Sequence, residues 1–295
     1  MTPPSHPAFE APAPTEVVDA SLQDLDRRSV EEILAAIHAG DRCAVAAVGA
    51  VQREVADAVN RLVACLAAGG RWFNVGAGTS GRLGCLDAAE IPPTFGMEPG
   101  RVEGLIAGGR SALWRAIEGA EDDADAAHAL LRQRGLGPRD AVLAISASGR
   151  TPFALGAVSA ARVAGARSLA LTCDPASPLA RAAELTLAPQ VGPEVIAGST
   201  RMKGGLAQKM ILHQLSTAVM IRLGRVQGNR MTHLRPASRK LRERALRMVA
   251  ELGGIDATRA GALLDAHAGV VADAVRAARD LQKPGHGSSS GNGPA

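Results

Sequence analysis

Residues 76–90 read GAGTSGRLGCLDAAE, and this segment is the most informative about the architecture of the chain. The apolar residues 72–75 lead directly into it, as a buried strand of a parallel sheet does. Gly76, Gly78 and Gly81 allow a tight turn in which backbone N–H groups approach a ligand closely. Leucines at helical spacing follow, so the stretch predicts a strand, a turn and the N-terminus of a helix. Unpaired N–H groups and the helix dipole favour an anion there, and a phosphate group fits.

The composition narrows the class of protein. Of the 295 residues, 46% are hydrophobic and only four are Phe, with no Tyr, which predicts a core of aliphatic side chains. The net charge of +4 comes from scattered arginines. Because aromatic residues are nearly absent, this charge does not indicate a nucleic-acid surface. The seven histidines show no metal-ligand spacing, so we expect neither a metal nor another cofactor.

The cysteines and the N-terminal segment indicate in which cellular compartment the protein is expected. Cys43, Cys65, Cys85 and Cys173 form no closely spaced pair, which favours a reducing cytoplasm over a disulfide framework. The Pro-rich first twenty residues have no basic start and no apolar run, so we expect no signal peptide. No apolar stretch is expected to span a membrane.

The order of patterns predicts an α/β fold in which an open parallel sheet is flanked by helices, with N-terminal helices and a small C-terminal helical region. Residues 1–20 are expected to form a disordered arm and residues 283–295 a disordered tail. Ser29 and Glu32 form a capping box before a short helix that ends near Gly40. A long amphipathic helix is expected over residues 42–68, its Val-rich stripe covered by the sheet or by a second subunit.

Strands and helices then alternate within residues 62–225. Strands are expected at residues 71–75, 102–106, 141–145, 168–172 and 185–188. Helices are expected from the first turn to about residue 90, from about residue 111 to the acidic run 118–123, and over residues 124–134, 152–164 and 200–223. Three further helices are expected in residues 235–282.

A second hydroxyl-rich turn changes the interpretation of the first. Gly76, Gly78 and Gly81 match the dinucleotide pattern GxGxxG, but the next strand ends without the acidic residue that holds a ribose. Ser146, Ser148, Gly149 and Thr151 follow another strand and precede another helix. Ligands of open parallel sheets bind beyond the carboxyl ends of the strands. We therefore expect the two turns to bind one phosphate, the first through Gly78, Thr79 and Ser80; the alternative is that these hydroxyls only cap helices.

These motifs carry a resemblance to a known family. GAGTSG and SASGRT resemble the phosphate loops of sugar isomerase (SIS) domains. GAGTSGRLGCLDAAEIPPTFG, IEGAEDD, SASGRTPF and GSTRMKGGLAQK together resemble the N-acetylmuramic acid 6-phosphate etherases, over about residues 21–229. The resemblance implies a doubly wound SIS-type domain in a homodimeric, metal-free cytoplasmic lyase. Such an enzyme cleaves a lactyl ether to N-acetylglucosamine 6-phosphate and D-lactate during muropeptide recycling.

The resemblance also implies roles for single residues. Elimination of lactate needs a base at C2 of the sugar and an acid at the departing oxygen. By resemblance Glu121 is the base and Glu90 the acid, although the acidic run leaves Glu118 as an alternative base and Glu90 could be a surface carboxylate. Ser199 and Lys203, at the start of the helix over residues 200–223, are further candidates for binding substrate. His213 on that helix is expected to be a core residue.

Three other functions remain open from sequence. A non-catalytic phosphosugar sensor, similar to the glucokinase regulatory protein, needs the two turns but not both carboxylates. A phosphosugar isomerase shares the turns, and a nucleotide-dependent oxidoreductase would use GxGxxG.

Overall fold

The protein is described by a computed structural model that covers residues 12–234, 236 and 238–282. These residues form two compact units. The first unit contains the chain up to Ile91 together with Glu98–Leu223, and the second contains Pro92–Met97 together with the chain from Gly224.

The first unit is built on a five-stranded parallel sheet in the order β2-β1-β3-β4-β5. Its strands are β1 (Trp72–Gly76), β2 (Val102–Ile106), β3 (Ala141–Ile145), β4 (Arg167–Leu171) and β5 (Leu185–Leu187). Each strand lies within a residue or two of its predicted position. The strands are short apolar runs separated by crossovers, and such runs form parallel sheets covered on both faces. The predicted fold class is confirmed.

Helices cover both faces of the sheet. Helices α4 (Ala124–Gln133) and α5 (Pro152–Val163) pack on the face that carries Phe73, Val75 and Val142. Helix α3 (Gly78–Phe95) lies on the opposite face, where Asn74 Nδ2 donates to the Gly84 carbonyl at 3.2 Å. The apolar helix α7 (Lys203–Arg222) packs against α3, and both N-terminal helices contact it. A short helix α6 (Pro178–Ala182) follows β4.

The two N-terminal helices have other bounds than predicted. Helix α1 spans Val30–Ala50 and helix α2 spans Gln52–Ala67. The Ser29–Glu32 capping box is present, but α1 does not end at Gly40. Gly40 instead permits close packing, since a Cβ there would lie 3.0 Å from Val195 Cγ2. The break comes at Val51, whose φ of −110° and ψ of 21° interrupt the helix without Gly or Pro. The prediction of one helix over residues 42–68 is therefore wrong.

Two further predictions are wrong, one for the end of helix α3 and one for the segment that follows β2. Helix α3 runs through Pro92 and Pro93 to Phe95 instead of ending near residue 90. The helix expected from residue 111 is replaced by 3-10 turns at Gly109–Leu113 and Ala120–Asp122. Gly108 and Gly119 precede these turns with φ values of 79° and 73°, which interrupt the helical pattern.

Helix α1 was not expected to meet the criteria for a membrane span. By length and composition alone it is long and apolar enough to cross a bilayer. In this structure α1 packs against α7 with Gly40, Ala44 and Val48 buried, and most of its other residues are exposed or half-buried.

The second unit contains the three predicted C-terminal helices. They are α8 (Arg239–Gly253), α9 (Ala257–Ala266) and α10 (Val271–Asp280), which share a core that includes Met248, Leu264 and Val275.

The predicted arm differs from the structure where the two overlap. Within residues 12–20 the chain forms a 3-10 turn, Pro14–Glu16, and Ala13 and Thr15 are buried. Residues 1–11 and the predicted tail, residues 283–295, lie outside the described residues.

Candidate phosphosugar site

The two hydroxyl-rich turns lie side by side at the carboxyl edge of the sheet. They follow β1 and β3, which are neighbours, and Gly76 at the end of β1 pairs with Ile145 at the end of β3. The strand order reverses between these two strands, because β2 lies beyond β1 and β4 beyond β3. A crevice opens at such a reversal, and it is where open α/β sheets bind ligands.

Hydroxyl groups hold the second turn together. Ser146 Oγ lies 2.9 Å from Thr151 Oγ1 and 3.4 Å from Ser148 Oγ. The same oxygen accepts the Gly149 N–H at 3.1 Å, and Ser148 Oγ accepts the Arg150 N–H at 3.3 Å. These hydroxyls therefore order the turn and line a cavity at the same time.

The first turn supplies the other wall of this cavity. Gly78, Thr79 and Ser80 form the first turn of α3, and Ser80 Oγ donates to Gln208 Oε1 of α7 at 3.0 Å. The space enclosed by the turns, which we call the phosphate cavity, has a volume of about 410 Å³. Its lining residues are Glu16, Ala77, Gly78, Thr79, Ser80, Glu121, Asp122, Ile145, Ser146, Ala147, Ser148, Arg150, Thr151, Pro152, Gly198 and Thr200.

The helix N-termini that open into the phosphate cavity favour an anion beside the two turns. The N-termini of α3 and α5 both open into it, because Gly78 and Pro152 belong to its lining. Arg150 also lines the cavity, but its Nη1 is 3.2 Å from Oδ2 of the buried Asp174. This ion pair offsets part of its charge, so the hydroxyls and N–H groups are the main anion ligands available.

Carboxylates enter the phosphate cavity from the loop that follows β2. Glu121 and Asp122 line it, and both are exposed. The neighbouring acidic residues Glu118 and Asp123 do not line the cavity. Asp123 instead caps α4 by accepting the Ala126 N–H at 2.8 Å. The geometry thus separates members of an acidic run that sequence alone left equivalent.

Glu90 does not reach the phosphate cavity of its own chain. It lies twelve residues after Gly78 on α3, a rise of roughly 18 Å along the helix. Its side chain is exposed and lies close enough to Asp87 to act on that carboxyl electrostatically. Burial raises the pKa of Asp87 to about 6, against the lowering effects of the hydrogen bond from Ser216 and of Lys209.

Ser199 and Lys203 also lie outside the lining of the phosphate cavity. The N-terminus of α7 is already occupied, because the buried Glu194 accepts the N–H groups of Lys203 and Gly204 at 2.9 and 2.8 Å. The Lys203 side chain packs on Gly40 of α1 and lines a separate cavity of about 460 Å³ with Asp19 and Arg28. His213 is exposed on α7, not buried as expected.

Several lining residues were not predicted from the sequence. Arg150, Asp122 and Thr200 are each adjacent in the chain to a predicted residue. Glu16 could not be found, because it lies in a segment whose Pro-rich composition predicts disorder. Among residues 12–234, 236 and 238–282, no group of three His, Cys, Asp or Glu side chains is placed to hold a metal ion.

Two family models match the first unit of the chain. The model described as the glucokinase regulatory protein N-terminal SIS domain matches residues 54–162, and the model described as the SIS domain matches residues 123–218. A solved phosphoheptose isomerase from Francisella tularensis has a TM-score of 0.50 and 19% identity, covering 66% of this chain and 99% of that chain. At this identity the likeness shows the fold alone.

Curated relatives are similar over most of the chain. The N-acetylmuramic acid 6-phosphate etherase of Jannaschia sp. is 48% identical over 257 residues, which are 87% of this chain and 81% of the relative. The protein of the same name from Erwinia tasmaniensis is 46% identical over 250 residues, covering 85% of this chain and 82% of the relative.

Proposed function

The chain belongs to the N-acetylmuramic acid 6-phosphate etherase family, and from that premise we propose how its phosphate cavity serves the reaction. The resemblance expected from the sequence motifs is confirmed, and the enzyme cleaves the D-lactyl ether of N-acetylmuramic acid 6-phosphate. The observation that carries the proposal is the pairing of two hydroxyl-rich turns at the reversal of strand order, with Glu121 in the same cavity.

In our proposal the turns bind the 6-phosphate. Thr79, Ser80, Ser146, Ser148 and Thr151 offer hydroxyl groups, and the two helix N-termini offer N–H groups and a favourable dipole. Gly149 supports the turn rather than contacting the ligand. Ser199 and Lys203 do not line the phosphate cavity of their own chain, so the proposal gives them no contact with the phosphate there.

The chemistry proceeds by elimination and addition. Opening of the sugar ring exposes an aldehyde that makes the C2 proton acidic. Glu121 takes this proton, the C2=C3 double bond forms, and the C3–O bond breaks with its electron pair leaving on the lactate oxygen, which an acid protonates. Water then adds its hydroxyl at C3 and a proton at C2. A positioned acid or base contributes ~10²–10⁴ to the rate of such a step.

We propose that the acid is Glu90 of a second copy of the chain. The motif resemblance assigns Glu90 this role, but the side chain lies at the far end of α3 from its own phosphate cavity. A homodimer resolves the conflict if α3 of one copy approaches the cavity of the other. Glu90 is exposed, and Leu86 on the same face of α3 is 46% exposed.

Apolar surface on the first unit supports the homodimer. Helix α1 exposes Val30, Leu34 and Val45. Between α2 and α7 lies a groove of about 680 Å³ lined largely by apolar atoms, including Val55, Val59 and Ile221. Exposed apolar residues and an apolar groove are features that interaction sites have in common. The four cysteines are unpaired, which is compatible with the cytoplasmic location that we also propose.

Release of D-lactate from N-acetylmuramic acid 6-phosphate, without added metal or nucleotide, tests the proposed function. We expect the wild-type chain and Glu118→Ala to release D-lactate, and Glu90→Ala and Glu121→Ala to lose at least ~10²-fold in rate. Binding of the substrate by the wild-type chain without lactate release would instead indicate a phosphosugar regulator.

Mixing the two inactive variants tests the role of the second copy. If Glu90 acts across the dimer, a mixed dimer of Glu90→Ala and Glu121→Ala has one complete site. Random exchange of subunits then restores about a quarter of the wild-type activity. If Glu90 acts on the site of its own chain, no site is complete and the mixture stays inactive.

A further inference from the structure

We propose that Glu16 is a further substrate-contacting residue, which holds hydroxyl groups of the sugar while the two turns hold its phosphate. The inference rests on the proposed function, since it takes a phosphosugar as the ligand of the phosphate cavity. The N-terminal segment that carries this residue lies outside the motifs that carry the family resemblance.

The segment around Glu16 is anchored to the first unit. Ala13 and Thr15 are each only 2% exposed, and the Glu16 N–H donates to the Ala13 carbonyl at 2.8 Å. The Gly198 N–H donates to the Thr15 carbonyl at 3.0 Å, which ties the segment to the loop before α7. The backbone of Glu16 is thereby held beside the phosphate cavity, which its exposed side chain lines.

Gly198 provides a second, independent observation. Its φ is +75°, and a Cβ at this position would lie 2.5 Å from Oε2 of Glu16. Any side chain there would displace the carboxylate. Gly198 and Thr200 both belong to the lining of the phosphate cavity, so the Glu16 carboxylate occupies space at the cavity wall that a side chain at position 198 would fill.

The charge of Glu16 determines which part of the ligand it contacts. A carboxylate accepts hydrogen bonds and repels a phosphate, so it suits the neutral, hydroxyl-bearing part of the sugar. Glu16 and Glu121 reach the same cavity from different segments, Pro14–Glu16 and Ala120–Asp122. A hexose phosphate bound by the two turns would present its hydroxyl groups to Glu16 and its reacting carbons to Glu121.

Binding of two ligands by Glu16 variants tests the inference without turnover. Calorimetric titration with N-acetylglucosamine 6-phosphate and with inorganic phosphate distinguishes contacts to the sugar from contacts to the phosphate group.

Loss of hydrogen bonds to a charged acceptor weakens binding on the order of tenfold to a hundredfold. We expect Glu16→Ala to weaken binding of the sugar phosphate by this factor and Glu16→Gln by less, because its amide keeps one oxygen acceptor. Binding of inorganic phosphate should stay within about twofold of the wild type, since Glu16 is not a phosphate ligand in this proposal and its loss removes only repulsion that salt screens. Glu31→Ala, which removes an exposed carboxylate from the first turn of α1, is the matched control and should change neither affinity.

Two glycines in the loop before α7 provide a second pair of variants. Gly198→Ala and Gly192→Ala both place a side chain at positive φ, +75° and +69°, but no heavy atom lies within 4 Å of a Cβ at Gly192. We expect Gly198→Ala to weaken binding of the sugar phosphate as Glu16→Ala does, and Gly192→Ala to leave it unchanged. The double variant Glu16→Ala/Gly198→Ala should bind no more weakly than the weaker single variant, because both changes remove the same contact.

The inference is overturned if Glu16→Ala binds both ligands as the wild type does, or if it loses both to the same degree. Additive effects of Glu16→Ala and Gly198→Ala also contradict it. A wild-type chain that binds the sugar phosphate but releases no D-lactate contradicts the proposed function, while the binding results still decide the role of Glu16.

Discussion

At the scale of single residues, Asp87 shows what burial does to a carboxyl group beside a proposed catalytic acid. Asp87 is 4% exposed, and its Oδ1 accepts the Ser216 hydroxyl at 3.0 Å. Its Oδ2 is buried and has no hydrogen-bond partner among the described residues. Desolvation of this carboxyl raises its pKa from 3.8 to about 6.

This pKa makes the stability of the fold depend on pH. Below pH 3.8 Asp87 is protonated in the folded and the unfolded chain alike and does not reduce stability. As the pH rises through 3.8 to about 6, the unfolded chain ionises first, so folding stability falls, and above that range the full loss remains. At 1.36 kcal/mol for each pKa unit, the loss amounts to about 3 kcal/mol.

We therefore predict that Asp87→Asn stabilises the protein more at pH 8 than at pH 4.5, with a difference of about 2 kcal/mol. Asparagine keeps an oxygen acceptor for Ser216 but does not titrate in this range. Urea unfolding of the wild type and of the variant at the two pH values measures the difference. An equal change in unfolding free energy at both would mean that Asp87 ionises as readily when folded as when unfolded.

At the scale of elements, Gly149 explains why the second turn has its shape. Its φ is +65°, and a Cβ would overlap the Ser177 side chain and lie 2.7 Å from Thr172 Oγ1. Its N–H donates to Ser146 Oγ, and its carbonyl accepts the Leu179 N–H at 3.0 Å. The turn is thus packed against the start of α6, and glycine is required both for φ and for space.

Gly149→Ala should destabilise the protein and remove phosphate binding. Gly135→Ala is the matched control: its φ is +66°, with no heavy atom within 4 Å of the added Cβ. We expect Gly135→Ala to lose about 1–2 kcal/mol through backbone strain alone. Gly149→Ala should lose about 1–3 kcal/mol more through overpacking and bind phosphate at least tenfold more weakly. Equal losses of stability with unchanged phosphate affinity would show that the turn tolerates a side chain.

Sequence predicted the elements that depend on local patterns. All five strands and the three C-terminal helices follow from apolar runs, caps and glycines, and the two turns follow from the hydroxyl and glycine residues after strands. The break at Val51 and the passage of α3 through Pro92 and Pro93 were not predictable, because tertiary packing overrides local signals there. Likewise, Gly40 marks close packing with Lys203 instead of a helix end.

The candidate site was predictable only where motif and topology coincide. The hydroxyls of both turns could be assigned, because they follow neighbouring strands of one sheet. Lys203 was a candidate for binding substrate because of its place at a helix start, but Glu194 occupies that terminus through a contact nine residues away in sequence. Glu16 and Gly198 are 182 residues apart, so their contact leaves no local signal.

At the scale of the whole molecule, the phosphate cavity lies within the first unit. A second cavity, whose largely apolar lining includes Asp19, Arg28 and Lys203, lies within the same unit and also contains cationic side chains. We assign the phosphosugar to the phosphate cavity, because two helix N-termini and hydroxyls from two turns converge there.

A crystal structure of the protein with N-acetylglucosamine 6-phosphate tests this assignment most directly. We predict that phosphate oxygens lie about 2.5–3.2 Å from the hydroxyls of Ser146, Ser148 and Thr151 and from groups of the first turn of α3. The sugar should extend towards Glu16 and Glu121, with Glu90 of a second copy near C3. A phosphate bound beside Lys203, with both turns empty, would contradict the account.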